Sequence, residues 1–336
     1  MNKIVLIDGS NLLHRSLRVP DIFQLSYNGV KTGGIHSFFR SLIRISDYFR
    51  DYPIILWDKG FSERRVKLFS NYKSKDDKVI QREQGLVEKS ELEFLDEYRK
   101  QRSIINNILK MFTLPGLLIS NTEADDMINF LVKRHSNDIS FVLSEDSDFI
   151  QLLDYVDVFF PIKNTYCSNK EFSYEIINYS KLNKTQLKTL NDLDYDSTIH
   201  YLHSKAIKGD PSDNIQGVKG LGEVNGKKFA REILKNKDFI EELRQKPKRK
   251  GFEEKLVTGY NDYLLALELI DLNKEVFSED KIKEIYATIK MAFMSKIDFV
   301  NLISIFSEYG RMNRMSEMQS YTQYIDSINS GINIFD

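Results

Sequence analysis

The chain begins with short apolar runs that alternate with a helical pattern, and this alternation restricts its fold more than any other feature. Residues 3–7 form a β-branched run that ends on Asp8, and residues 53–57 form a second run that ends on Asp58. In residues 35–49, between the two runs, apolar side chains recur at spacings of three and four, as on one face of an α-helix. Strand, helix and strand in this order indicate a parallel sheet covered by helices. We therefore predict an α/β fold with a central, mostly parallel sheet flanked by helices.

The rest of the chain continues this pattern and then changes character. Residues 115–119, 140–143 and 156–160 predict three further strands, and residues 91–112 predict a long helix. Helical patterns dominate from about residue 183 onward. We expect an α/β domain over 1–175 and a helical domain over 176–336. The two domains are expected to pack together, because no linker rich in proline or glycine separates them.

Composition excludes several classes of protein. Of the 336 residues, 41% are hydrophobic, and no apolar run approaches the ~20 residues that a membrane helix needs. The single cysteine, Cys167, allows no internal disulfide, and its thiol is expected to be inert. The lack of an internal disulfide favours a reducing compartment such as the cytoplasm. The net charge of −1 does not favour nucleic-acid binding, but Lys and Arg residues cluster in 64–78 and in 246–250. These clusters keep a nucleic-acid partner possible.

Carboxylates recur where the predicted strands end. Thr122 is predicted to cap the helix that follows the third strand, which brings three acids into its first turn. The set has nine members: Asp8, Asp58, Glu123, Asp125, Asp126, Asp146, Asp148, Asp210 and Asp213. Ligands bind at the carboxyl ends of parallel strands, and acids crowded there cannot all stay ionised without cations. A single Asp at a strand end is usually a turn or cap residue, so only the whole set indicates a metal site.

The ligand chemistry narrows the choice of metal. Oxygen ligands without a matching His or Cys set favour Mg²⁺ or Mn²⁺ over zinc. Two such ions ~4 Å apart would activate a water and stabilise the leaving oxygen of a phosphodiester. A glycine-rich stretch follows Asp210 and Asp213, with Gly217, Gly220 and Gly222 at close spacing. Its backbone can turn tightly and approach a phosphate closely.

Other sequence patterns that could indicate a phosphate-binding, metal-binding or nucleophilic site are weaker. Residues 222–228 resemble a phosphate-binding loop, but they are one residue short and follow no strand. His200 and His203 lie one helical turn apart, and we predict packing or surface roles for them. Ser10 and Ser144 lack the sequence context of a nucleophile.

Five motifs together resemble the metal-dependent 5′-nuclease superfamily of flap endonucleases and 5′→3′ exonucleases, which has a PIN-like fold. They are residues 7–13, 56–58, 123–126, 145–149 and 209–215. They occur in the family's order over roughly residues 1–235, and the pattern is most like the stand-alone bacteriophage 5′-nucleases and the exonuclease domain of bacterial DNA polymerase I. The resemblance implies a helical arch at about 61–92 and a helix–three-turn–helix at about 198–235.

The same resemblance implies a role for each acid. It assigns one Mg²⁺ ion to Asp8, Asp58, Glu123 and Asp125, and a second to Asp146, Asp148 and Asp210, with Asp125 shared. It gives Asp126 and Asp213 contacts through water. Asp125, Asp146 and Lys73 are then the residues closest to the chemistry.

DNA contacts are also implied by the resemblance. In the arch, Lys73 would polarise the scissile phosphate, Tyr72 would stack on an unpaired base, and Arg65 matches a basic position. Backbone amides around Gly217, Gly220 and Gly222 would hold a duplex phosphate, with a K⁺ ion as a further expectation. Lys219, Lys227 and Lys228 would contact phosphates nearby. Asp76 and Asp77 stand where relatives have a basic residue, which weakens the arch's grip on the 5′ end.

These features predict a two-Mg²⁺ phosphodiesterase that acts on 5′ flaps, nicks and RNA-primed ends of duplex DNA in replication or repair, including RNase H-type primer removal. We expect a cytoplasmic monomer (in the host cell if phage-encoded), with no membrane contact, that works beside a single-strand-binding protein or sliding clamp. A PIN-type endoribonuclease would explain the acids but not residues 209–222. A structure-specific DNA-binding protein with little turnover is the non-enzymatic alternative.

Overall fold

A computed structural model describes residues 3–49, 51–73, 89–169, 185–309, 323 and 325. The strands in these ranges are β1 (Ile4–Asp8), β2 (Ser26–Tyr27), β3 (Val30–Lys31), β4 (Tyr52–Leu56), β5 (Gly116–Leu117), β6 (Ile139–Leu143), β7 (Asp157–Phe160), β8 (Thr165–Cys167) and β9 (Gln186–Lys188). Seven of them form one sheet in the order β5-β4-β1-β6-β7-β8-β9, and β2 and β3 form a separate hairpin. Neighbouring strands of the large sheet are parallel except for β7 and β8.

The α-helices of the described ranges are α1 (Gly9–Leu17), α2 (Pro20–Gln24), α3 (Gly33–Phe49), α4 (Glu63–Leu68), α5 (Lys89–Met111), α6 (Ala124–His135), α7 (Thr198–Lys208), α8 (Glu223–Lys235), α9 (Phe239–Gln245), α10 (Gly251–Thr258), α11 (Tyr260–Ile270), α12 (Glu279–Met294) and α13 (Phe299–Glu308). Short 3₁₀ helices span Ser147–Leu152 and Pro211–Asp213, among others. Helices therefore surround the sheet and dominate the second half of the described chain.

The central strand β1 fixes where a ligand can bind. Its first four residues, Ile4 to Ile7, are each at most 1% exposed, as expected for a strand covered on both faces. The chain passes from β1 to β4 on one side and later to β6 on the other. The strand order thus reverses at β1, and a reversal of this kind opens a crevice at the carboxyl ends of the strands. Asp8, the last residue of β1, lies at that point.

The predicted mostly parallel sheet is confirmed, and so is the helix predicted over 35–49. Helix α1, for which the sequence analysis made no prediction, begins at Gly9 directly after β1, and the Asp8 side chain caps it. Two local predictions differ from the structure. Thr122 is not the cap of α6: Glu123 takes that position, while Thr122 pairs with the backbone of Lys59. Strand β9 lies where the strand signal had faded.

The helical half has its own core. Residues of α7, α8, α10 and α11 form a buried apolar cluster, and Tyr72 from the segment after α4 contributes to it. No helix within the described ranges is both long and apolar enough to span a membrane. The predicted boundary between residues 175 and 176 lies outside the described residues, as do residues 74–88 of the predicted arch, which include Asp76 and Asp77. The predicted division into two domains stays a prediction.

Candidate active site

Asp8 is held at the sheet edge by small polar neighbours. One carboxylate oxygen accepts from the Asn11 amide at 2.9 Å, and the other accepts from the Ser144 hydroxyl at 2.9 Å. The Ser144 hydroxyl oxygen also accepts from the amide of Asp146 at 3.0 Å. Ser144 therefore links the acids that end β1 and follow β6, a positioning role that its sequence context did not reveal.

Asp58 is fixed in a similar way. Its Oδ1 accepts from the Ala124 amide at the start of α6 at 2.7 Å, and its own amide donates to the Ser10 hydroxyl at 2.7 Å. The carbonyl of Asp58 accepts from Arg102 at 2.8 Å. These bonds tie the end of β4 to α1, α5 and α6, so the side chain is oriented before any ligand binds.

Arg65 is buried under the acids of α6 and does not face solvent. It is 1% exposed, and its guanidinium donates to Glu123 at 2.7 Å and to both oxygens of Asp126 at 2.9 and 2.7 Å. Its Nε donates to the carbonyl of Leu269 at 2.9 Å. Its donors are engaged within the protein here, and the expected contact of Arg65 with DNA stays a prediction. Both oxygens of Asp126 accept from this guanidinium.

Tyr72 and Lys73 also point inward. Tyr72 is 3% exposed, and its hydroxyl donates to Glu123 at 3.2 Å. The expected stacking of its ring on a base stays a prediction. The Lys73 ammonium donates to Glu123 and lies 3.5 Å from Asp213 Oδ2. The amide of Lys73 donates to the carbonyl of Asp213 at 3.0 Å. The base of the predicted arch is thus joined to the 210–213 turn, and the Lys73 ammonium lies within the acid cluster.

A second lysine, which the sequence analysis did not single out, occupies the other side of the cluster. The Lys205 ammonium donates to Asp148 and lies 2.8 Å from Asp210 Oδ2. Asp146 accepts from the Asp148 amide at 2.9 Å and so orients the start of the 3₁₀ helix. Lys205 lies on α7, one helical turn before Gly209, and that position is the only sign of its role in the sequence.

The acids strongly perturb one another. Burial raises the pKa of Asp8, and the nearby charges of Asp58 and Asp146 raise it further. Burial raises the pKa of Asp148 to about 7, although Lys205 lowers it, and burial raises the pKa of Asp213 to about 6. Shared partners show which acids lie together: Lys73 contacts Glu123 and lies near Asp213, and Lys205 contacts Asp148 and lies near Asp210.

The pKa values of Glu123 and Asp125 shift in opposite directions. Burial raises the pKa of Glu123, but Lys73 and Arg65 outweigh it, so this pKa is lowered overall. Burial raises the pKa of Asp125 to about 6, with Arg65 opposing the shift. One oxygen each of Glu123, Asp125 and Asp126 lies within 4.8 Å of the others. The cationic side chains thus keep Glu123 ionised while Asp125 is poised to gain or lose a proton.

The glycine-rich turn contains one buried glycine, Gly217, and two exposed glycines, Gly220 and Gly222. Gly217 is buried at φ 58°, and a Cβ there would lie 2.4 Å from the amide nitrogen of Gly209. It therefore closes the turn, and the expectation that its amide region holds a phosphate is not supported by its position. Gly220 and Gly222 are exposed, and Gly222 precedes α8 without a side-chain cap. Amide donors of the first turn of α8 are consequently left for an external acceptor.

The lysines predicted to touch DNA differ in their surroundings. Lys227 donates to the carbonyl of Leu193 at 2.9 Å and packs over the ring of Tyr195, so it is engaged within the protein. Lys219 and Lys228 are exposed. Their DNA contacts stay predictions, whereas Lys227 as placed here is unavailable.

The signals dismissed from sequence behave as expected. His200 is 1% exposed and accepts from the Asp196 amide at 3.0 Å, while His203 lies 2.6 Å from the hydroxyl of Tyr263. The two rings have separate partners and form no metal pair. Cys167 is buried, and burial raises the pKa of its thiol to about 11. A thiol with a raised pKa is a weak nucleophile.

Known proteins share both the sequence and the fold. The chain is 28% identical over 300 residues to a 5′-3′ exonuclease of Bacillus subtilis (strain 168), covering 86% of this chain and 90% of that protein. It is 28% identical over 285 residues to the flap endonuclease of Escherichia phage T5, covering 83% and 86%. It is 25% identical over 310 residues to the DNA polymerase I of Caldicellulosiruptor bescii, covering 88% of this chain but only 33% of that polymerase.

A solved structure of the bacteriophage T5 flap endonuclease, as a pseudo-enzyme–product complex with DNA and metal ions, has the same fold. It matches with a TM-score of 0.60 at 23% identity, covering 86% of this chain and 98% of that one. A family model described as 5′-3′ exonuclease, N-terminal resolvase-like domain, matches residues 3–178. These residues contain seven of the nine acids and the sheet edge on which they converge. The chain therefore belongs to the 5′-3′ exonuclease family.

Proposed function

We propose that the chain is a structure-specific 5′ nuclease that hydrolyses phosphodiester bonds at 5′ ends and flaps of duplex DNA and RNA-primed DNA. One observation carries the proposal: acids from separate segments converge at the point where the strand order reverses. The names of the relatives, 5′-3′ exonuclease, flap endonuclease and DNA polymerase I, agree with this reaction and with a role in DNA replication or repair.

The composition of the cluster fits divalent cations. Nine carboxylates are faced by three buried or half-buried cationic side chains, Arg65, Lys73 and Lys205, so much negative charge is uncompensated within the described residues. All candidate ligands are hard oxygen donors, which suits Mg²⁺, with Mn²⁺ as a substitute. The T5 structure was solved with metal ions, which supports a metal requirement here.

We assign the ions by position. Asp8, Asp58, Glu123 and Asp125 would hold one ion, and Asp146, Asp148 and Asp210 the other, with Asp213 nearby. When bound, the two ions would supply positive charge to the phosphate oxygens and favour deprotonation of a water molecule. Asp126 acts indirectly, because it holds Arg65 against Glu123.

The chain's own residues position the substrate and its charge. The Lys73 ammonium already lies inside the acid cluster, and we propose that it polarises the scissile phosphate there. Exposed backbone amides at Gly220, at Gly222 and in the first turn of α8 would bind a phosphate of the duplex. Asp210 and Asp213 stand only a few residues before this turn. Residues 209–222 would thereby couple the place where DNA is held to the place where it is cut. A K⁺ ion at the turn is part of this proposal.

The test is cleavage of a 5′-labelled flap duplex in Mg²⁺. Asp146→Asn should lower the rate more than about 100-fold, because an ion ligand is lost while side-chain size is kept. Asp262→Asn, an exposed acid on α11, is the matched control and should cut like the wild type. Equal cleavage by Asp146→Asn would overturn the assignment. Faster cutting of single-stranded RNA than of flap DNA would favour an endoribonuclease, and tight binding without cutting would favour a DNA-binding protein.

A further inference from the structure

Residues 246–255, here called the basic segment, carry a charge that the site described above does not use. They comprise the loop between α9 and α10 and the first half of α10. The segment holds five Lys and Arg residues against two Glu residues. A charge excess of this kind on one short stretch needs an external partner or open solvent.

Two of the five cations are neutralised within the segment. Lys246 lies 3.0 Å from Glu253, and Arg249 forms an ion pair with Glu254. The other three, Lys248, Lys250 and Lys255, form no ion pair within 4.0 Å among the residues that the structure describes, and all three are exposed. These two ion pairs use both Glu residues of the basic segment. Its net positive charge therefore lies on the three remaining ammonium groups.

The basic segment lies against the glycine-rich turn. The Lys255 ammonium donates to the carbonyl of Gly220 at 3.4 Å. At the other end of α10, a Cβ on Gly259 would lie 2.8 Å from a methyl group of Val218. Helix α10 and its C-terminal cap therefore lie against residues 218–220 of the turn.

The turn and the basic segment together form one positive surface. Exposed Gly220 and Gly222 lead into the uncapped first turn of α8, where the amide donors and the helix dipole favour an anion. Lys255 places an ammonium group beside Gly220. From Lys250 to Thr258, α10 extends about 12 Å, which is about four base pairs at about 3.4 Å each.

We propose that the basic segment is a second duplex-binding surface. A nick or flap divides the DNA substrate into two duplex arms, and the basic segment contacts backbone phosphates of the same duplex arm that the glycine-rich turn holds. The proposal rests on the proposed function, because that function supplies the duplex. It assigns Lys248, Lys250 and Lys255 to phosphate contact without base readout.

The experiment measures the affinity of the full chain for a nicked duplex in Ca²⁺ over a series of salt concentrations. The variant is Lys248→Gln with Lys250→Gln, since neither ammonium group forms an ion pair within 4.0 Å in the described structure. The control is Lys290→Gln with Lys296→Gln, which removes the same charge from exposed positions on α12 and just after it. The log–log salt slope of the variant should fall by about 2, with roughly tenfold weaker binding at low salt, while the control keeps the wild-type slope.

Arm length provides the second readout. Each arm is shortened in turn from about 16 to about 8 base pairs, and the difference between variant and wild type should vanish on one short arm only. An unchanged slope, a loss equal to that of the control, or a loss independent of arm length would overturn the second surface. Failure of the wild type to cut a flap would instead overturn the nuclease proposal, so the two failures can be told apart.

Discussion

Replacing Arg65 separates a DNA-contact role from a structural one. The sequence resemblance places Arg65 on the DNA, whereas the structure buries it between Glu123 and Asp126. The change Arg65→Met keeps much of the side-chain volume and removes the charge and all of its donors. Asp126 and the carbonyl of Leu269 then lose the guanidinium that donates to them, whereas Glu123 keeps Lys73 and Tyr72.

The size of the effect follows from this burial. Removing one partner of a buried ion pair typically costs about 3–5 kcal/mol, because the remaining charge stays desolvated. Burial and Asp125 already raise the pKa of Asp126, and loss of Arg65 raises it further. The folded variant then binds a proton that the unfolded chain releases, so its stability falls as pH rises. The deficit should therefore be smaller at low pH than at high pH.

Urea unfolding of the metal-free protein at pH 5.5 and pH 8 measures both quantities. Arg64→Met is the matched control. Arg64 is the residue next to Arg65, and its half-buried guanidinium donates to Glu275 and to the carbonyl of Glu268. We expect the control to lose about 1 kcal/mol. Wild-type stability of Arg65→Met together with weakened DNA binding would refute the structural role and restore the DNA contact.

Three further predictions test the acid cluster and the turn. Burial raises the pKa of Asp148 to about 7 from an ordinary 3.8. Between these two pH values, the folded metal-free protein therefore binds a proton at Asp148 that the unfolded chain has released. The melting temperature of the wild type relative to Asp148→Asn should therefore fall as pH rises toward about 7, and an increase of this difference with pH would contradict the shift. Lys205→Met should lower the melting temperature without metal and tighten Mn²⁺ binding in calorimetry, because its ammonium no longer occupies Asp148 and Asp210; unchanged ion affinity would argue against such competition. Gly217→Ala should cost about 1–3 kcal/mol or more from backbone strain and from contact with Gly209, whereas a wild-type melting curve would show that the turn can adapt.

Much of the site could be predicted because the acids follow the strands directly. A strand places its last residue at the sheet edge by local geometry, so Asp8 and Asp58 could be located from apolar patterning alone. Their supporting partners could not be found in that way. Ser144 and Asp8 are 136 residues apart, and nothing in the local sequence of either indicates that the serine hydroxyl orients the carboxylate.

The parallel sheet, the edge on which the acids gather and the oxygen-only chemistry of the cluster could all be predicted from the amino-acid sequence, since they depend on periodicity and residue type. The cations that balance that charge could be identified only once the chain was folded. Arg65 and Lys73 turn inward, and Lys205 reaches Asp148 from 57 residues away. The physical reason is desolvation: a buried carboxylate must find a partner, and the nearest one is set by packing rather than by distance along the chain.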